Sequence, residues 1–145
     1  MNTMIEGIFQ KGTSLMSLNG TFKLVFQGDG NLVLLCRNDA NTGYTPFWQS
    51  GTGSGEVANP GFQLQLLNGG LAIYSFVESP GTNDPIWAKS GPGAAPKSVL
   101  IVQNDGNLVI YNPSMKAVWQ SGTSAMEEPG CNVPDAARGL ELGPP

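Results

Sequence analysis

Histidine is missing from this chain of 145 residues. That removes the commonest general base at neutral pH and a common transition-metal ligand, and with them any Ser–His–Asp or Cys–His nucleophile. Charge is scarce as well: 12% of residues are charged, with a formal net charge of −4. No basic patch exists for a nucleic acid or an anionic membrane surface to meet. No run approaches the ~20 apolar residues that a spanning helix needs, so membrane insertion is not expected. Met1 to Gly7 offer neither a cationic start nor an apolar stretch behind it, and so do not form a secretion signal. A soluble protein is expected, cytoplasmic or exported by another route. Cysteine occurs only twice, as Cys36 and Cys131.

Glycine and proline are plentiful, 20 and 11 residues, with short apolar runs between them. This composition predicts an all-β fold with many turns, and the length suits one domain. The chain repeats itself. Gln103-Asn104-Asp105-Gly106-Asn107-Leu108-Val109-Ile110-Tyr111 is nearly copied by Gln27-Gly28-Asp29-Gly30-Asn31-Leu32-Val33-Leu34-Leu35. Between them, Leu66-Leu67-Asn68-Gly69-Gly70-Leu71-Ala72-Ile73-Tyr74 keeps the shape without the chemistry. An apolar-Trp step follows each copy, at Trp48, Trp87 and Trp119. The unit recurs about every 38 residues, within the range of repeat architectures.

Period-2 alternation puts Gln103, Asp105, Asn107, Val109 and Tyr111 on one face of a strand, and Leu108 and Ile110 on the other. Asp-Gly inside each motif is also a hairpin-turn signal. Because the apolar phase resumes after it, the expectation is a strand running through, bent at the glycine. Two amides, a carboxylate, a small apolar side chain and a phenol in a row suit a polyhydroxylated ligand. The bland alternative is a solvated strand face. The tryptophans persist at equal phase even where the polar motif has gone. Trp48, Trp87 and Trp119 are therefore expected in the central core rather than stacked on a ligand.

The pattern Gln-x-Asp-x-Asn-x-Val-x-Tyr resembles the mannose-binding signature of the bulb-type (snowdrop-like, monocot) lectins. Gln103 to Tyr111 matches all five positions, and Gln27, Asp29, Asn31 and Val33 match four, with Leu35 in place of tyrosine. The middle copy keeps only Tyr74, with Leu66, Asn68, Gly70 and Ala72 elsewhere. The resemblance implies a β-prism II: three four-stranded antiparallel sheets in pseudo-threefold symmetry around a core holding the tryptophans. It implies that Asp105 and Asn107 bind the axial O2 of mannose, Gln103 O3 and Tyr111 O4, with Val109 on the C3–C4 edge. The Gln27 site should then be about fivefold weaker for want of the phenol, and the middle site lost. It also implies a homodimer formed by exchanging a C-terminal strand, here around Val118 to Ser121.

Residues 1–123 are expected to form the single three-repeat domain and 124–145 a tail. Asn19-Gly20 should turn a leading hairpin. Residues 37–46 and 75–85 should be polar loops, with Tyr44 an exposed loop aromatic. Without an export signal, free thiols are favoured at Cys36 and Cys131; a bridge would pin the tail to the first sheet, and spacing alone does not decide. Leaderless and with atypical cysteines, the chain suits a fungal or microbial member better than a secreted storage lectin. No cofactor or metal is expected, since Asp29-Gly30-Asn31 lacks the further acidic ligands of a calcium loop. No catalytic residue is assigned, because Asp29 and Asp105 lie in different repeats and do not form a glycosidase pair. The expected function is a non-catalytic lectin for mannose-bearing glycans and glycoproteins. The alternative is a prism that has lost sugar binding and serves as a protein-interaction or structural module.

Overall fold

The computed structural model describes residues 1–38, 43–76, 84–124 and 131. Twelve strands in the described residues form three four-stranded antiparallel sheets, the β-prism II arrangement. The first sheet is contiguous in sequence: β3 (Ser14–Met16), β4 (Phe22–Phe26), β5 (Leu32–Arg37) and β6 (Tyr44–Gln49), in that order. In the second, β2 (Gly7–Gln10) precedes β7 (Gly61–Leu67), β8 (Gly70–Ser75) and β9 (Trp87–Lys89). The third runs β1 (Thr3–Met4), β10 (Val99–Val102), β11 (Leu108–Tyr111), β12 (Ala117–Gln120). The amino-terminal segment thus lends one strand to each of the other two sheets. No helix long and apolar enough to cross a membrane occurs among the described residues.

Alternation decides which side of each sheet turns inward. Leu24 faces Leu34, Leu64 faces Ile73 and Leu100 faces Ile110 across their ladders, and all six are buried. Full burial of such side chains stabilises by roughly 1.5–3 kcal/mol each. Trp48, Trp87 and Trp119 pair with Leu34, Ile73 and Ile110 and so point the same way. Their ring centroids form a triangle with sides of 6.0, 5.9 and 6.2 Å, in tilted and edge-to-face contact. They are only partly buried, packed on the core rather than enclosed by it. Each lies on an edge strand, which leaves part of its ring accessible.

The turns correct several sequence expectations. Asn19-Gly20 does turn between β3 and β4, closed by Gly20 N–H to Ser17 O and Ser17 N–H to Phe22 O. No strand runs through Asp-Gly. In the third repeat Gly106 N–H bonds Gln103 O and Gln103 N–H bonds Asn107 O, a three-residue loop with Gly106 at φ 90°. The first repeat closes the same way, with Gly30 at φ 92°. This is a type I turn completed by a left-handed residue, a geometry that glycine adopts without penalty. A Cβ at Gly106 would also lie 2.8 Å from the Phe22 ring. The middle repeat instead uses a two-residue turn, Asn68 (φ 53°) and Gly69 (φ 80°), between Leu67 and Gly70. Being one residue shorter, it places Leu67, 49% exposed, where Gln103 stands; Leu66, assigned to that place from sequence, is in the core.

Tyr44 is not a loop residue. It opens β6 opposite Arg37, and its hydroxyl donates to Gly20 O at 3.2 Å. Lys23 and Arg37 each lie 5.7 Å from its ring. The cysteines are not free: Cys36 and Cys131 form a disulfide with a Cα–Cα distance of 5.5 Å, across 95 residues. Cys36 is an inward residue at the end of β5, and Cys131 bridges Asn38 beside it, which supplies the proximity that sequence spacing could not. Most of the expected 75–85 loop and of the tail, residues 77–83, 125–130 and 132–145, lies outside the described residues.

Glu6, between β1 and β2, accepts the Asn68 backbone N–H at 2.6 Å and that of Lys97 at 2.7 Å. These bonds, Asn68's foremost, hold its carboxyl below the usual carboxylate range. A depressed folded-state pKa gives stabilisation that is whole above the unfolded value of about 4.3 and fades as pH falls through the folded value. Glu6→Gln should therefore lower the thermal midpoint near neutrality, with the deficit closing on acidification. Melts at neutral and acid pH check this; a deficit that does not change with pH would show no charge-linked contribution.

Candidate functional site

The polar motif of the third repeat is a turn and a strand acting together. Gln103, Asp105 and Asn107 line the turn, and Val109 and Tyr111 follow on the outer face of β11. The turn does not scatter them. Gln103 Nε2 donates to the Tyr111 hydroxyl across the hairpin, and Asp105 Oδ1 accepts the Asn107 backbone N–H at 2.9 Å. Ile101, Val109 and Tyr111 form a small apolar cluster on this outer face, separate from the main core. The turn is tied to the first sheet as well: Asn19 N–H reaches Asn104 Oδ1 at 2.9 Å. The first repeat brings Gln27, Asp29, Asn31 and Val33 together in the same way, with Asp29 Oδ1 on Asn31 N–H at 2.9 Å. Leu35 leaves Gln27 without a phenol to bond.

Both asparagines are held by residues that the motif does not contain. Asn107 Oδ1 accepts Ser121 Oγ at 3.1 Å, Gly122 N–H at 3.1 Å and Thr123 N–H at 3.3 Å. Its Nδ2 donates to Gln120 Oε1 at 2.7 Å. Thr123 Oγ1 in turn bonds Gly106 O at 2.6 Å, locking the clamp to the turn. Asn31 repeats this with Ser50, Gly51, Thr52 and Gln49 at 3.1, 3.0, 3.2 and 2.6 Å. The carbonyl ends of both asparagines are thus filled within the chain. Each offers outward only the second N–H of Nδ2. Gln49, Ser50, Thr52, Gln120, Ser121 and Thr123 escaped the sequence reading. Gln-Ser-Gly-Thr follows the tryptophan only in the two repeats that keep the motif, whereas the middle repeat has Ala88-Lys89-Ser90-Gly91.

The two sites differ in access. In the third, Gln103, Asp105, Asn107, Val109 and Tyr111 are all buried, between 2% and 7% exposed. In the first, Asp29 is exposed and Gln27 half-buried. A cleft of about 420 Å³ opens there, lined by Gln27, Asn31, Val33, Pro46, Trp48 and Gln49 among others; this is in the size range of small-molecule sites. On the middle sheet Gly70, Ala72, Ala88 and Tyr74 border a second cleft of about 360 Å³ without the asparagine clamp. Among the described residues, no three His, Cys, Asp or Glu side chains converge to hold a metal ion.

No family model matches the chain. It is 30% identical over 113 residues to the B-type lectin plumieribetin of Scorpaena plumieri, covering 77% of this chain and 86% of that one. Its structure resembles the monomeric monocot mannose-binding lectins of Gastrodia elata, with 30% identity, a TM-score of 0.61, and 86% and 99% of the two chains covered. It also resembles the mannose-specific agglutinin of snowdrop, Galanthus nivalis, solved with methyl-α-D-mannoside: 28% identity, TM-score 0.56, 85% and 97% covered.

Removing the asparagine should unfold its clamp. Asn107→Ala leaves the Gly122 and Thr123 N–H groups without their acceptor, each orphan costing about 1–3 kcal/mol, while the Ser121 hydroxyl can turn to Thr123 Oγ1 at 2.7 Å. Urea denaturation should show a loss of at least about 2 kcal/mol. Asp105→Asn retains an oxygen for the Asn107 N–H and should stay within about 1 kcal/mol of the parent. Equal losses in the two variants would contradict the clamp.

Proposed function

Because the chain belongs to the bulb-type, or B-type, lectin family, we propose that this carbohydrate-binding protein is mannose-specific and non-catalytic, and binds through the outer faces of its first and third sheets. The observation that carries this reading is the duplicated clamp. At each site a fixed amide N–H and an acceptor-only carboxylate stand at one turn, above the small apolar surface of Val33 or Val109. One hydroxyl can accept from the amide and donate to the carboxylate, which suits an axial O2. The valine suits the C–H edge beside it. Gln103 and Tyr111 extend the third site towards O3 and O4. An axial O4, as in galactose, points away from the Tyr111 hydroxyl and forfeits that bond, and an equatorial O2, as in glucose, moves away from both groups.

About four net hydrogen bonds of roughly 1 kcal/mol each give near-millimolar affinity for one sugar. Useful binding then needs several sites on one glycoprotein or particle. Two sites per chain provide some of this, and a homodimer would double it. β12 pairs with β11 of its own chain and lies at the sheet edge. Exchanging it between two copies would reproduce the same ladder, which is why we retain it as the route to a dimer.

Calorimetric titration with methyl α-mannoside, beside methyl α-galactoside, tests the reading. Millimolar heat with mannoside, silence with galactoside and loss of heat in the folded Asp29→Asn, Asp105→Asn double variant is the expected result. Undiminished heat in that variant would overturn the site assignment. No heat with either sugar from the folded parent would overturn mannose binding itself and leave a protein-interaction module.

A further inference from the structure

The two retained sites share every element of the clamp except the residue after its threonine. In the third site this is Ser124, whose hydroxyl donates to Asp105 Oδ2 at 2.5 Å. Asp105 Oδ1 is already taken by the Asn107 N–H, so both carboxylate oxygens are engaged within the chain. In the first site the position belongs to Gly53. Asp29 Oδ1 holds the Asn31 N–H, and its Oδ2 has no hydrogen-bond partner among the described residues. A Cβ at Gly53 would lie 3.1 Å from that oxygen. Glycine at 53 thus brings no hydroxyl to that oxygen, and the Glu56 side chain borders the space that serine fills at 124. Exposure agrees, Asp29 being open to solvent and Asp105 buried.

We propose that the Ser124 hydroxyl stands in for a sugar hydroxyl on Asp105, attenuating the third site and leaving the first, where Gly53 offers no such hydroxyl, as the tighter of the two. This rests on the mannose reading above. It reverses the ranking that the count of motif residues suggests, in which the first site is weaker for want of a phenol. A hydroxyl on a carboxylate makes a charge-assisted bond, stronger than the neutral bond that a phenol adds. A sugar entering the third site must displace that hydroxyl or share its acceptor. Ser124 itself is exposed, so its rotation away from Asp105 is free of packing, and the attenuation is partial.

The sites are separated by disabling one carboxylate at a time. Asp29→Asn isolates the third site and Asp105→Asn the first; each is titrated with methyl α-mannoside by calorimetry. The first site should bind more tightly than the third, by about three- to tenfold. Ser124→Ala placed in the Asp29→Asn protein should tighten the third site by about tenfold. Gly53→Ser in the Asp105→Asn protein should weaken the first. Gly53 lies outside the left-handed backbone region, and the nearest atom a Cβ would meet is the mobile end of Glu56, at 2.7 Å, so this variant is expected to fold. Tryptophan fluorescence confirms the fold in each case. Unchanged or weaker third-site binding after Ser124→Ala, with mannoside heat in the parent, overturns the inference and leaves the mannose reading intact. Silence of the parent towards mannoside overturns both.

Discussion

One carbonyl oxygen organises each repeat that keeps the polar motif. Oδ1 of Asn107 gathers a hydroxyl and two backbone N–H groups from the segment after β12, and Oδ1 of Asn31 does the same after β6. These donors belong to a turn that leaves its sheet and cannot satisfy itself by strand pairing. Buried without an acceptor, each would cost free energy comparable to everything a hydrogen bond contributes. The amide therefore fixes where the chain departs after the third strand of the repeat hairpin, and by the same act fixes its own outward N–H. A donor immobilised during folding needs little further ordering to meet a hydrogen-bonding partner.

The middle repeat is an internal control on this dependence. It lacks the asparagine, and it also lacks the glutamine and threonine that would embrace one. Its hairpin has shortened to a two-residue turn, and Ser90 bonds the Gly69 carbonyl instead. The inward face is untouched: Leu64, Leu66, Leu71 and Ile73 stay in the core, and Trp87 completes the aromatic triangle. The two faces of one sheet are thus separable. The inner face answers to packing shared by all three repeats, the outer face only to its own local turn.

Legibility in the sequence followed the same division. Period-2 alternation identified the inward residues and the Asn-Gly dipeptide the hairpin at Asn19-Gly20, because these depend on short-range pattern; the three sheets were implied by the resemblance to the bulb-type lectins. The Asp29-Gly30 and Asp105-Gly106 turns were misjudged as strand, since the apolar phase resumes after them. A three-residue loop with a left-handed glycine preserves that phase by itself, so continuity of alternation could not discriminate. Leu66 and Leu67 were transposed because a one-residue difference in turn length is invisible in an ungapped comparison. The Cys36–Cys131 bridge depends on contact across 95 residues, which no local signal carries. Tyr44 reads as a loop aromatic until its hydroxyl is seen on Gly20 and two cations beside its ring. The clamp residues left a trace, the paired occurrence of Gln-Ser-Gly-Thr, that is recognisable once the asparagine's carbonyl is known to need donors.

The loan of β1 and β2 to distant sheets bears on the order in which the chain is made. The first sheet can close as soon as residue 49 has left the ribosome, since all four of its strands are then present. β2 must wait for β7, and β1 for β10, which begins at Val99. At roughly 5–20 residues per second that interval is on the order of ten seconds for β1. Throughout it the nascent chain displays a short unpaired ribbon containing Met4, a residue that is buried once folding is complete. Such an edge invites pairing with other chains. Among the described strands, β1 is made first and waits longest for its neighbour.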